Sequence, residues 1–187
     1  MTARAVVAGG GLAAAGVLAG GLSRPAVSQP SKAQDRRVFS WLLEVEQLEA
    51  AFYAEAERRG ALRGELRELA RRVGEQERAH VAILERVLGG GRSKPPAFDF
   101  GDATGDPERF LAAAIEVEEL SLAAFNGQVP NLTKRRILTV MGIASVEARH
   151  VGWVRDLAGR NPAPRPADVP ATQARTRAAI KDAGLMP

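Results

Sequence analysis

The 187-residue sequence contains no cysteine. This absence excludes disulfide bonds, thiolate metal sites, iron–sulfur clusters and cysteine nucleophiles. A metal site in this chain must therefore use carboxylate and imidazole ligands, a set that suits iron, manganese or zinc. The length corresponds to one ordinary domain with terminal extensions, which is enough to bury a hydrophobic core.

Aromatic residues are also scarce, at 5% of the chain. The formal net charge is +4 and the pI is about 10.1, but the arginines are scattered among glutamates. A single-stranded nucleic-acid site combines a basic groove with aromatic residues on which bases stack, and no basic stripe in this sequence carries such residues. We therefore expect no nucleic-acid partner.

Histidine occurs only twice, and both histidines follow the same short pattern. Glu77 lies three residues before His80, and Glu147 lies three residues before His150. Positions i and i+3 share one face of an α-helix, so each carboxylate projects in the same direction as its imidazole. Two such pairs, with one carboxylate from each of two further helices, form the inward-facing ligand set of a two-metal site in a four-helix bundle.

The apolar periodicity predicts four long helices and one short one. They cover residues 35–59, 62–88, 107–126, 132–158 and 172–182. Asp35, Asp106 and Asn131 are the predicted N-caps of the first, third and fourth helices. The connections within each pair of helices are short. Residues 92–106 could extend roughly 50 Å, which is enough to span a bundle whose helices are about 30–40 Å long. The predicted fold is an all-α four-helix bundle with one long crossover between helices 2 and 3.

The two ends of the chain differ in composition from the predicted bundle at residues 35–159. Residues 1–34 carry an uncharged run of small and apolar residues after Arg4, followed by a small-x-small sequence at 26–28. This pattern predicts a secretory signal peptide, with an uncleaved membrane anchor as the alternative, and then a linker. Residues 160–187 are rich in proline and are predicted to form a peripheral tail.

An internal repeat supports a pseudo-twofold arrangement of the bundle. The sequence EVEQL at 44–48 matches EVEEL at 116–120, which pairs Glu46 with Glu118 at an offset of 72 (118 − 46). The two Glu-x-x-His pairs are offset by 70 (150 − 80). Each half therefore offers one carboxylate on its first helix and a Glu-x-x-His pair on its second. Neighbouring glutamates leave alternatives open, with Glu49 in place of Glu46 and Glu116 or Glu119 in place of Glu118.

These motifs make residues 36–159 similar to the ferritin-like superfamily, in particular to the exported ferritin-like domain proteins of bacteria. In that family a helix-one glutamate is followed seven residues later by a tyrosine, as Glu46 is by Tyr53 within the run LEAAFY. The third helix departs from this spacing, because Phe125 takes the place of the second tyrosine.

The resemblance also implies a ligand set and a cofactor. It assigns Glu46, Glu77 and His80 to one metal and Glu118, Glu147 and His150 to the other, with Glu77 and Glu147 as the bridges. The implied cofactor is two iron ions, with manganese as the alternative. Tyr53 would donate a hydrogen bond to a ligand carboxylate.

The function implied by the resemblance is redox chemistry with oxygen or peroxide, such as Fe(II) oxidation. The protein is expected to be exported, to the periplasm, the cell envelope or the extracellular space. Manganese would instead suit peroxide removal. The alternative is a non-catalytic metal-binding or stress-related module of the cell envelope. A homo-oligomer is compatible with the sequence, and contact with a membrane is expected only through an uncleaved N-terminal segment.

Overall fold

Helices account for most of residues 29–90 and 94–185, the part of the chain that this computed structural model describes. They are α1 (Lys32–Arg59), α2 (Gly64–Leu88), α3 (Pro107–Gln128), α4 (Lys134–Leu157) and α5 (Gln173–Asp182), with a 3₁₀ turn at Val129–Asn131. These two described ranges contain no β-strand. The prediction of an all-α bundle is therefore confirmed. The predicted signal peptide or anchor falls almost wholly on residues 1–28, which lie outside the described residues.

The helix ends follow local capping chemistry, although two predicted caps are wrong. Asp106 accepts a hydrogen bond from the Arg109 amide and starts α3, as predicted. The cap of α1 is Ser31 rather than Asp35, and the cap of α4 is Thr133 rather than Asn131. Asp35 has a tertiary role, because its carboxylate accepts hydrogen bonds from the amide and the hydroxyl of Thr133, at 2.9 and 2.6 Å.

The four long helices pack as two pairs, with the closest packing between α1 and α2 and between α3 and α4. Residues 60–63 join the first pair, and the 3₁₀ turn with its flanking residues joins the second. The longer connection from Leu88 to Pro107 is the predicted crossover. Phe100 anchors it by an edge-to-face contact with Phe52, which also stacks on Phe110 of α3. Within the described residues, none of the helices has the length and apolar character needed to cross a membrane.

The C-terminal segment packs against the bundle, which differs from the prediction of a peripheral tail. The Ala171 amide donates a 2.8 Å hydrogen bond to the Ala123 carbonyl of α3. Ile180 of α5 is buried in the core. Arg177 forms an ion pair with Glu44 and lies over the ring of Trp41, which fixes α5 to α1 as well.

A methyl group at position 127 is expected to displace this segment. A Cβ added to Gly127 would lie 1.7 Å from the carbonyl oxygen of Ala171, a backbone atom that cannot rotate away. We expect Gly127→Ala to lower the free energy of unfolding by about 1–3 kcal/mol, the usual cost of overpacking. The substitution should also make residues 163–185 sensitive to proteases. Urea unfolding and limited proteolysis measure the two effects.

Gly142→Ala in α4 is the matched control. Its added Cβ has no heavy atom within 4 Å, and alanine is favoured over glycine inside a helix by roughly 0.5–1 kcal/mol. This variant should be at least as stable as the wild type. If Gly127→Ala matched it in both assays, residues 163–185 would not be docked on α3 as described.

Candidate metal centre

The six predicted ligand residues lie together in the middle of the bundle. Each of the four long helices supplies a glutamate that is 0% exposed, and the two histidines are 5% and 3% exposed. The six are Glu46 of α1, Glu77 and His80 of α2, Glu118 of α3, and Glu147 and His150 of α4. The helical spacing of the Glu-x-x-His pairs therefore points both members of each pair into the core.

The six residues form two overlapping groups, each of which could hold a metal ion. One group is Glu46, Glu77, His80 and Glu147, and the other is Glu77, Glu118, Glu147 and His150. Within each group, one ligand atom per residue lies within 4.8 Å of all the others. Opposite ligands of a small cation bound at about 2.0–2.2 Å are up to roughly 4.4 Å apart, so this spacing is close to that of a coordination shell. Glu77 and Glu147 belong to both groups.

The Nδ1 atom of each histidine lies close to oxygen atoms of two or more glutamates. Nδ1 of His150 lies 2.9 Å from Glu77 and 3.4 Å from Glu118. Nδ1 of His80 lies 3.0 Å from Glu147, 3.2 Å from Glu77 and 3.3 Å from Glu46.

Many of these atoms are close together without being hydrogen-bonded. Nδ1 of His150, both oxygens of Glu46 and Glu147, and one oxygen each of Glu77 and Glu118 are buried and have no hydrogen-bond partner among the described residues. Buried polar atoms normally have hydrogen-bond partners. A group of buried oxygen and nitrogen atoms that lack such partners and lie close to one another is what a cation site provides. The donor set of oxygen and imidazole nitrogen is one that iron and manganese accept.

The electrostatics of the centre favour positively charged histidines. Burial lowers the pKa of His80, but contacts with Glu147 and Glu77 outweigh it and raise the pKa to about 9. Burial likewise opposes the charged form of His150, whereas Glu118 and Glu77 raise its pKa to about 10. Without a metal, two imidazolium charges therefore lie among the carboxylates at neutral pH.

The carboxylates divide between ionised and protonated forms. Burial disfavours the charge of Glu77, but contacts with His150 and His80 outweigh it and lower the pKa to about 2. Burial and then repulsion by Glu77 raise the pKa of Glu147 to about 8. Burial is also the main cause that raises the pKa of Glu46 and of Glu118. Metal binding would displace protons from these groups, because a metal ligand must be deprotonated.

Tyr53 contacts the centre from α1, in agreement with its predicted position. Its hydroxyl donates a 2.5 Å hydrogen bond to Oε1 of Glu118, the carboxylate of the other half of the repeat. Burial, followed by the charge of Glu118, raises the pKa of Tyr53, so the phenol keeps its proton and remains a donor. Tyr53 therefore fixes the orientation of one of the two carboxylates that are not shared.

Gln76, which the sequence did not single out, orients one histidine. Its side-chain oxygen lies 2.5 Å from Nε2 of His150. An oxygen can only accept, so this contact keeps a proton on Nε2 and leaves Nδ1 to face the carboxylates. Gln76 lies on the exposed side of α2 and is replaced by Val146 in the second half of the repeat. No motif in the sequence predicted this contact.

Glu49 is the second residue near the centre outside the predicted set. The sequence offered it only as an alternative to Glu46, yet both are 0% exposed. They lie three residues apart on the inward face of α1, so one does not replace the other. A fifth buried carboxyl group therefore adjoins the six-residue set.

A helical bundle built around a buried carboxylate–histidine centre is a known class of protein. The sequence model described as "Ferritin-like domain" matches residues 34–160, more than half of the chain. This chain therefore belongs to the ferritin-like domain family, and the predicted resemblance to the ferritin-like superfamily is confirmed. A search of curated proteins found no match.

The metal-free protein is expected to lose stability as the pH rises from about 5 to about 10. The folded pKa values of Glu147, His80 and His150 lie above their ordinary values, so the folded state holds protons that the unfolded state has released. Each such proton lowers the free energy of unfolding by about 1.4 kcal/mol per pH unit between its unfolded and folded pKa values. The intervals are 4.5 to about 8 for Glu147, 6.5 to about 9 for His80 and 6.5 to about 10 for His150. Urea unfolding in a chelator at several pH values measures this slope.

Glu147→Gln supplies the control for this pH dependence. It removes one of the groups whose pKa is raised in the folded state, so its stability should fall less steeply than that of the wild type between pH 5 and 8. A free energy of unfolding that stays constant or increases over this range in the wild type would contradict the assigned protonation states.

Proposed function

We propose that this chain binds two iron ions, or alternatively two manganese ions, and carries out redox chemistry with oxygen or peroxide, such as the oxidation of Fe(II). The observation that carries the proposal is the pair of buried ligand groups that share Glu77 and Glu147. A single-metal site would need only one such group, and a structural bundle would need neither.

Charge and ligand number support this proposal. The carboxylates of Glu46, Glu77, Glu118 and Glu147 together match the charge of two divalent cations. Each group contains four residues, which is fewer than the six positions of an octahedral iron or manganese ion when the shared glutamates each give one oxygen per metal. Such a centre, when loaded, supplies open coordination positions and an electron source for oxygen or peroxide.

The remaining residues of the centre have positioning roles in this proposal. Tyr53 holds the Glu118 carboxylate through its 2.5 Å hydrogen bond, and Gln76 holds His150 with Nδ1 toward the centre. The apolar residues around them exclude bulk water, which strengthens the interactions of the charged groups with one another.

The cellular location belongs to the same proposal. The uncharged N-terminal run and its small-x-small sequence support export to the periplasm or the cell envelope. An exported protein with a redox-active metal centre would act on Fe(II) or peroxide outside the cytoplasm.

Metal analysis of the purified full-length chain tests this proposal first. We expect about two iron or manganese ions per chain, as the paired carboxylate–histidine centre requires. The double variant Glu77→Ala/His150→Ala should lose both ions, because it removes one shared ligand and one histidine. Glu75→Ala/Arg149→Ala is the matched control, since it changes exposed neighbours on the same two helices; it should keep the metal.

Addition of Fe(II) without oxygen, followed by oxygen or peroxide, tests the reaction. Formation of Fe(III) should be faster with the wild type than with the double variant, and manganese-loaded protein should be assayed for peroxide consumption. If the protein bound metal but neither oxidised Fe(II) nor consumed peroxide, it would be a metal-binding module and not an enzyme. Absence of bound metal, before and after addition of Fe(II) or Mn(II), would overturn metal binding itself.

A further inference from the structure

Glu49 is a fully buried carboxyl group that the two ligand groups do not use. It is 0% exposed, and neither of its oxygens has a hydrogen-bond partner among the described residues. Burial, followed by repulsion from Glu147, Glu77 and Glu118, raises its pKa. A protein core gains no stability from such a group, because an unpaired buried carboxyl is costly and an apolar residue of similar size is not.

Glu49 lies on α1 near members of both ligand groups, since its charge is repelled by theirs. Glu46, three residues before it, belongs to the first ligand group, and Tyr53, four residues after it, touches Glu118 of the second. Residues at these spacings share one helix face. Glu49 therefore lies between the side chains by which α1 reaches the two groups.

The internal repeat shows that this carboxyl is particular to one half of the bundle. At the offset of 72 that pairs Glu46 with Glu118, Glu49 pairs with Ser121 (49 + 72). Ser121 is also 0% exposed, and its hydroxyl likewise has no partner among the described residues. The centre therefore has a fifth carboxyl on its α1 side and a neutral, much shorter side chain on its α3 side.

We propose that Glu49 is an additional carboxylate of the metal centre, which binds cations from the α1 side and gives the two metal positions unequal affinities. This inference rests on the proposed metal binding. The carboxylate would supply a seventh side chain to a centre with open coordination positions, or accept a hydrogen bond from a metal-bound water. In either role, its charge favours the cations that the four other glutamates already attract.

Calorimetric titration of the metal-free, full-length protein with Mn(II) tests this assignment. The wild type should bind two ions with different affinities. We expect Glu49→Gln, which keeps the shape of the side chain but removes its charge, to weaken one binding step by roughly 10–100-fold. Ser121→Ala, at the paired position of α3, should leave both steps close to those of the wild type.

Unfolding of the metal-free variants separates a metal role from a structural one. Glu49→Leu removes the buried carboxyl, so without metal it should be at least as stable as the wild type, and Mn(II) should stabilise it less. If this variant were destabilised without metal while Glu49→Gln bound Mn(II) normally, Glu49 would be a structural residue and the inference would fail.

The outcomes also distinguish this inference from the function on which it rests. A wild type that binds no Mn(II) and no Fe(II) would overturn both. Two equal binding steps in the wild type, or unchanged binding by Glu49→Gln, would overturn the role of Glu49 and leave the proposed metal centre in place.

Discussion

The burial of five glutamates in the core of one small bundle is the constraint on which this structure depends. Each is 0% exposed, and transferring even one ionised carboxylate out of water costs several kcal/mol unless an opposite charge is near. The imidazolium forms of His80 and His150 offset part of this cost, and protonation of Glu147 removes another part. Two divalent cations would offset the rest. A core of this composition is therefore better explained by a ligand than by stability.

The repeat accounts for how the chain assembles such a centre from few residue types. Each half contributes a carboxylate on one helix and a Glu-x-x-His pair on the next, and antiparallel packing brings the pairs of α2 and α4 face to face. The symmetry between the two halves does not extend beyond the six candidate ligands. Tyr53 is paired with Phe125 and Gln76 with Val146, so hydrogen bonds reach Glu118 and His150 but have no counterpart in the other half. The two ligand groups therefore have different surroundings.

The sequence was sufficient to predict the features that depend on local spacing. The four long helices and the convergence of the two Glu-x-x-His pairs follow from a period of 3.6 residues, which acts within one helix. Features that depend on which surfaces meet were not predictable in this way. The sequence predicts Asp35 as the N-cap of its own helix, because a cap is a local pattern. In the structure, the Asp35 carboxylate instead accepts hydrogen bonds from the amide and the hydroxyl of Thr133, 98 residues away. The docking of α5 and the contact of Gln76 with His150 have the same tertiary origin. The sequence offered Glu49 only in place of Glu46, although their spacing of three residues puts both on one face of α1.

X-ray diffraction with anomalous scattering, from crystals grown with Fe(II) or Mn(II), would show directly whether the buried carboxylates and histidines bind metal. We expect two strong peaks in the core, one beside His80 and one beside His150, with Glu77 and Glu147 between them. Peaks only at the protein surface, or a core in which the carboxylates and imidazoles pair with one another and no peak appears, would contradict it. In that case the buried carboxylates would have to be explained by the protonation of the metal-free bundle alone.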